Sequence, residues 1–149
     1  VVERHQGTGN VACGFLKGYG IKEGAVALSV AHDSHNIIVV GVNDEEMEFA
    51  VNSLIAQEGG IVLVKEGKVI EQMPMPIAGL MSDQSGEWVD EKLTSIHEKA
   101  YTELGICGDV EPVMTLCFMS LAVIPEIKLT DMGLFDVTTF SFIPVEISR

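Results

Sequence analysis

Alternation of apolar and polar positions predicts a β-hairpin over residues 26–42. Larger residues of Val26–His32 fall on one face and small ones on the other, which is typical of a strand packed closely by another element. The next stretch, Ile37–Val42, is apolar on both faces, as in a central strand. Asp33 and Ser34 lie between the two stretches and predict the turn that joins them.

A helix is predicted directly after this hairpin, because the apolar residues there recur with a helical period. Asn43 is a good N-cap, Glu46 stands three residues later, and Gly59-Gly60 ends the helix. Its apolar stripe has the i, i+3, i+4, i+7, i+8 spacing and comprises Met47, Ala50, Val51, Leu54 and Ile55.

A second hairpin and a second helix repeat this order. Ile61–Lys65 and Lys68–Met73 flank the turn Glu66-Gly67, and a helix is predicted from about Glu87 to Leu104, before Gly105. The stripe of this helix comprises Val89, Leu93, Ile96, Ala100 and Leu104.

The two ends of the chain are less regular. Gln6–Gly24 is rich in glycine, and the rough helical spacing of its apolar residues predicts a short helix between loops. The apolar stretches Val113–Val123 and Phe135–Ile147 add strand at the other end. Val1–His5 reads as part of a strand and lacks an initiator Met, so we expect a fragment of a longer protein.

This order predicts an α+β fold with two layers. We expect a mixed or antiparallel sheet, built from hairpins, with the two main helices on one face. No linker interrupts the chain, so residues 1–149 are predicted to form one domain.

Composition narrows the function classes. A hydrophobic content of 47% argues against disorder, and a net charge of −13 argues against binding to nucleic acids or anionic membranes. No apolar run approaches the roughly 18 residues that span a bilayer. The three cysteines, Cys13, Cys107 and Cys117, show no CxxC spacing, so we expect free thiols in a reducing cytoplasm.

Six consecutive residues carry most of the ionisable chemistry, Ala31-His32-Asp33-Ser34-His35-Asn36. His32, Asp33 and His35 are metal-ligand types, but a further ligand would have to come from His5 or a distant acid. The alternative is structural: Asp33 and Ser34 shape the turn and His32 is partly buried. Residue spacing alone does not decide between the metal-binding and the structural interpretation.

Other motifs are weaker. Ser34, His35 and Asp33 are adjacent residues and cannot easily form a catalytic relay, and no G-x-S-x-G elbow is present. The glycines at 7, 9 and 14 do not have the G-x-G-x-x-G spacing of a dinucleotide site. His97 follows Ile96 and is expected at the edge of the core.

Several blocks together are similar to the C-terminal domain of bacterial and archaeal adenine deaminases, which belong to the amidohydrolase superfamily. The resemblance runs through most of the chain, and the His-Asp-Ser-His-Asn and Gly-Leu-Met-Ser-Asp blocks are its specific part. The blocks are Val2–His5, Gly7–Asn10, Gly14–Gly20, Ser29–Asn36, Val40–Asp44, Pro76–Asp83 and Ile124–Asp131.

The resemblance implies hydrolysis of adenine to hypoxanthine and ammonia in purine salvage. It also implies a binuclear manganese or iron centre in a TIM-type barrel. The superfamily's His-x-His motif is missing from this sequence. We therefore expect no metal in this chain and no catalysis by it alone, with the barrel of the same protein as partner, adenine as substrate and a homo-oligomeric enzyme.

Within such an enzyme, seven residues are candidates to face the barrel's active site or to lock the domain in place. They are His5, Asn10, His32, Asp33, Ser34, His35 and Asn36. Two other interpretations remain: a stand-alone ligand-binding or regulatory module that shares ancestry with the domain, and a small metal-storage or scaffold protein.

Overall fold

The computed structural model describes residues 1–146 and is built around a four-stranded antiparallel sheet in the order β2-β1-β3-β4. A second, three-stranded antiparallel sheet has the order β5-β6-β7. The elements in chain order are β1 Ala25–Leu28, β2 Ile38–Gly41, α1 Asp44–Ala56, β3 Gly60–Lys65, β4 Lys68–Pro74, α2 Gly86–Thr102, α3 Pro112–Cys117, β5 Ile127–Thr130, β6 Gly133–Asp136 and β7 Ser141–Ile143. The predicted α+β class is confirmed.

The two main helices begin where side-chain caps satisfy their first backbone N–H groups. The Asn43 side chain accepts from Glu46 N at 2.8 Å, and Ser85 accepts from Trp88 N at 3.3 Å. The predicted stripes face the interior, except that Ile55, at the end of α1, is 56% exposed. No helix within residues 1–146 is both long and apolar enough to cross a membrane.

The helices pack on opposite faces of the sheet, so the predicted placement on one face is wrong. Ala25 and Ala27 of β1 share a core cluster with Leu54 of α1, whereas Val26 and Leu28 share another with residues of α2. Because successive residues of a strand point to opposite sides, each face of β1 needs its own cover. The small face of β1 lets α1 approach closely, and the larger face packs on α2.

Both predicted hairpins are present. β3 and β4 are joined at Glu66-Gly67, whose φ angles of 53° and 67° match the type I′ turn that suits a two-residue hairpin. β1 pairs with β2 as predicted, but both strands are shorter. The residues between them, 29–37, form a loop instead of a tight turn.

The N-terminal segment lies beside this loop. Val2 forms isolated bridges with Val11 and with Ile37, so the predicted strand character of Val1–His5 is confirmed around Val2. The short helix predicted within Gln6–Gly24 is wrong, because the segment is an irregular loop in which Phe15 is 99% exposed. Its closely spaced glycines disfavour a helix.

The C-terminal third departs most from prediction. The apolar start of Val113–Val123 belongs to α3 and not to a strand, because Pro112 suits the first turn of a helix and Glu111 caps it by accepting from Met114 N. Strands β5, β6 and β7 form a separate sheet, which the sequence did not predict. Ile147, the end of the second predicted stretch, lies outside the described residues.

Candidate functional site

The candidate site is built on Ala31–Asn36, the histidine loop, which leaves the central sheet between β1 and β2. His35 has a positive φ of 52°, and its backbone N–H donates to the Ala31 carbonyl at 2.6 Å. The backbone N–H of His32 donates to the Cys117 carbonyl at 2.9 Å, which ties the loop to the end of α3. Backbone hydrogen bonds therefore hold the loop in place, and its polar side chains are left to make other contacts.

Arg4 holds the loop from the N-terminal side. Its Nε donates to the His35 carbonyl, and its Nη2 donates to the Ala78 carbonyl at 2.8 Å. Its backbone N–H approaches Asn36 Oδ1 at 3.4 Å. One guanidinium thus joins the histidine loop to the turn Ile77–Met81.

His5 and Glu3 extend this contact. His5 Nε2 lies 2.8 Å from the Ser34 carbonyl and 3.2 Å from the His35 carbonyl, so it must carry a proton to donate. The Glu3 carboxylate accepts backbone N–H groups from Gln6, Thr8 and His5, and these hydrogen bonds, led by that from Gln6, lower its pKa to about 2. Glu3 thereby fixes the turn that presents His5.

Asp131 joins the loop to the second sheet. Its Oδ1 accepts from Asn36 Nδ2 at 3.2 Å, and its Oδ2 accepts from Asn10 Nδ2 at 3.3 Å. Asn36 is only 5% exposed, so its amide would be costly to leave without partners. One carboxylate therefore connects three segments that are distant in sequence.

The turn under Arg4 is tightly packed. Ser29 Oγ donates to the Gly79 carbonyl at 2.6 Å and accepts from Gly60 N at 2.8 Å. Gly79 has a φ of +73°, and a Cβ built there would lie 2.7 Å from Arg4 Nη1. Glycine at this position avoids both the strain of a positive φ and the displacement of the guanidinium that a Cβ would cause.

The imidazoles of the loop differ in their surroundings. The His32 ring lies 4.7 Å from the Phe118 ring and 6.3 Å from the His35 ring, centroid to centroid. His35 Nδ1 is buried and makes no hydrogen bond. The predicted partial burial of His32 is confirmed, since its side chain packs on an aromatic ring and is neither fully buried nor fully exposed.

Asp33 and Ser34 border a surface cleft with a volume of about 400 Å³ between the loop and the second sheet. Asp131 and Ser120 contribute further polar groups, and the Ser120 hydroxyl is buried without a partner. The remaining walls are apolar and are formed by Leu121, Ala122, Val123, Met132, Phe135 and Phe142, with part of Thr130.

The donor set does not fit a metal centre. Within residues 1–146 no group of three or more His, Cys, Asp or Glu side chains is placed to hold a metal ion. His32 packs on Phe118 and His5 binds backbone carbonyls, so neither completes a set with Asp33 and His35. We derive no metal-dependent step from this chain.

A nucleophilic triad is also not formed. Ser34 Oγ accepts from Asn36 N at 3.4 Å, and the hydrogen bonds of the described residues include none between that hydroxyl and a histidine ring. The Asp33 carboxylate likewise makes no hydrogen bond with His35 there. The arrangement offers hydrogen-bond donors and acceptors to a ligand, together with imidazoles that can carry protons.

All seven residues singled out from the sequence lie in one connected region. His5 contacts the loop directly, and Asn10 reaches it through Asp131. His97 lies apart on α2, where it bonds Glu111.

Sequence reasoning missed Arg4, Gly79, Phe118 and Asp131 as site residues. Three of the four lie in blocks that carried the family resemblance, and those blocks were the signal that could have found them. Phe118 carried no such signal.

The comparisons with known proteins agree with one another. The family described as adenine deaminase C-terminal domain matches residues 1–141. The chain is 76% identical over 98% of its length to "Adenine deaminase 2" of Desulfotalea psychrophila, and 52% identical over 99% to "Adenine deaminase" of Halalkalibacterium halodurans. It is 49% identical over 98% to "Adenine deaminase" of Bacillus velezensis.

The chain spans 25% of the length of each of these relatives. The matched family is named for a C-terminal domain, which agrees with that coverage. The resemblance read from the sequence blocks is confirmed, and the chain belongs to the family of adenine deaminase C-terminal domains.

Proposed function

We propose that this chain is the C-terminal domain of an enzyme that hydrolyses adenine to hypoxanthine and ammonia. The observation that carries the proposal is the meeting of distant family blocks in one site. Arg4, Asn36 and Asp131 come from three such blocks and are joined by hydrogen bonds, and Arg4 also donates to Ala78 of a fourth block. The reaction itself is taken from the relatives, which are named adenine deaminase and match nearly the whole of this chain.

The histidine loop faces the active site of the catalytic barrel in this proposal. Its backbone is occupied, since the carbonyls of Ser34 and His35 accept from His5 and Arg4. The side chains of Asp33 and Ser34 remain exposed at the cleft. Such groups can bind the polar edge of a purine, and an imidazole can accept or donate a proton during loss of ammonia.

The metal centre of the reaction, manganese or iron, belongs to the barrel and not to this domain. Support comes from the family resemblance, which places the metals on a His-x-His motif that this sequence lacks. In this proposal the domain closes the active site, orients the purine or supplies a proton for the loss of ammonia. It has no activity alone.

The test compares the full-length enzyme with the 149-residue chain. Both are purified with added manganese, and adenine consumption is followed by ultraviolet absorbance together with ammonia release. We expect turnover by the full-length protein and none by the chain. Turnover by the chain alone, or none by the manganese-loaded full-length protein, would contradict the proposal.

A further inference from the structure

Residues 1–3 and 10–12 of the N-terminal segment form a short antiparallel ribbon. Val1 and Ala12 exchange two backbone hydrogen bonds, of 2.8 and 3.0 Å, and Glu3 N donates to the Asn10 carbonyl at 3.0 Å. Beyond Ala12 the pairing stops. In the described part of the chain, the backbone of Cys13–Leu16 makes no hydrogen bond to any other backbone group.

An apolar groove of about 360 Å³ lies beside this unpaired segment. It runs between the ribbon and α1, and its apolar lining includes Val2, Val11, Val39, Met47 and Val51. Val11 in this lining is 59% exposed, and in the unpaired segment Leu16 is 43% and Phe15 99% exposed. Apolar groups gathered in this way mark a surface that another segment covers.

We infer that polypeptide preceding Val1 in the full-length enzyme pairs with Cys13–Leu16 and fills the groove, an inference that rests on the proposed function. The relatives supply that polypeptide, since three quarters of their length lies outside the match to a C-terminal domain. The backbone sets the register: each residue before Val1 lies opposite one residue after Ala12. An added strand of this kind is held by main-chain hydrogen bonds and by alternate side chains.

Strand geometry gives an alternating prediction for the amides. Val1 and Ala12 are a hydrogen-bonded pair, so Gly14 and Leu16 should point their N–H groups at the added strand, and Cys13 and Phe15 away from it. In the full-length enzyme we expect residue-resolved hydrogen exchange at Gly14 and Leu16 to be about tenfold or more slower than at Cys13 and Phe15. Uniformly fast exchange over residues 13–16 would overturn the inference.

A matched pair of substitutions gives a second readout. Gly14→Pro removes the N–H that the added strand would accept, whereas Gly14→Ala keeps it and places a Cβ only 3.5 Å from Leu134, an ordinary contact. In the full-length enzyme, maleimide labelling of Cys13, measured by mass spectrometry, should be slow in the parent and the alanine variant and faster in the proline variant. Equal, fast labelling in all three would also overturn the inference.

The alternative occupant is a second copy of the domain. A dimer of the full-length enzyme that protects Cys13 and is lost on Phe15→Ser would contradict the proposed strand. The proposed function is tested separately. If the enzyme deaminates adenine but the Gly14 amide is unprotected, only the proposed strand is refuted. Protection of Gly14 in a protein that does not deaminate adenine refutes only the function.

Discussion

Asn36 and Asp131 are 95 residues apart in sequence, yet the amide of the first donates to the carboxylate of the second at 3.2 Å. The bond connects the loop between β1 and β2 to the turn between β5 and β6. Since Asn10 donates to the same carboxylate from an exposed position, the two asparagines form a natural comparison.

Asn36→Ala should destabilise the domain by about 1–3 kcal/mol, because it leaves the partly buried Asp131 carboxylate and the Arg4 N–H without one of their partners. Asn10→Ala, at an exposed site, should change the free energy of unfolding by less than about 0.5 kcal/mol. Urea denaturation of both variants measures the difference. Equal effects would show that burial of Asn36 does not make its bond more important.

Gly79→Ala tests the packing of Arg4 on the Ile77–Met81 turn. The matched control is Gly67→Ala, since Gly67 has a similar φ of +67° but nothing within 4 Å of an added Cβ. Both substitutions carry the left-handed backbone cost of about 1–2 kcal/mol. Only Gly79→Ala also displaces the Arg4 guanidinium, so the unfolding midpoint of this variant should fall further than that of Gly67→Ala. Similar midpoints for the two variants would contradict a stabilising contact between Arg4 and the Ile77–Met81 turn.

Glu71 provides a pH-dependent contribution to stability away from the site. Burial raises its pKa, but hydrogen bonds from Lys92, Lys99 and Ser95 outweigh that effect and hold the pKa at about 2, below the ordinary 4.5. A lowered pKa in the folded state means that the stabilisation is complete above about pH 4.5 and is lost as the pH falls towards 2.

Glu71→Gln should therefore cost about 1–3 kcal/mol near neutral pH, with a difference from the parent that narrows below pH 4.5. Glu91→Gln, an exposed change on α2, serves as the control and should have little effect at any pH. Denaturation curves over this pH range provide the measurement. A difference that is constant with pH would exclude the proposed role of the carboxylate charge.

Substitution of the loop histidines in the full-length enzyme separates a role near the active site from a docking role. His32→Phe keeps a ring against Phe118 but removes both nitrogens, and His35→Asn suits the positive φ at that position. Each should lower kcat for adenine about tenfold or more while the unfolding midpoint changes little.

His97→Ala is the control for this experiment, because it breaks the bond to Glu111 at the start of α3 and removes no group of the loop itself. It should lower stability and leave kcat unchanged. If the loop variants instead lose stability or assembly with kcat intact, the histidines fix the domain in place and do not act on substrate.

Local signals in the sequence were enough for much of the fold. The Asn43 cap, the turn at Glu66-Gly67 and the stripe Ile96, Ala100 and Leu104 act over a few residues, and all appear as predicted. The predicted helix in Gln6–Gly24 failed because its apolar spacing is too weak against six flexible glycines. Periodicity alone could not separate the short helix α3 from a strand.

The candidate site divides in the same way. The sequence by itself determined that Ala31–Asn36 carries unusual chemistry and, through its family blocks, to which kind of domain it belongs. Only the tertiary structure decided that the helices cover opposite faces of the sheet, and that Arg4, Gly79 and Asp131 meet at the loop. Caps, turns and periodic stripes are set by neighbouring residues, whereas these contacts join segments far apart in the chain, and no local pattern specifies which distant segments will pack together.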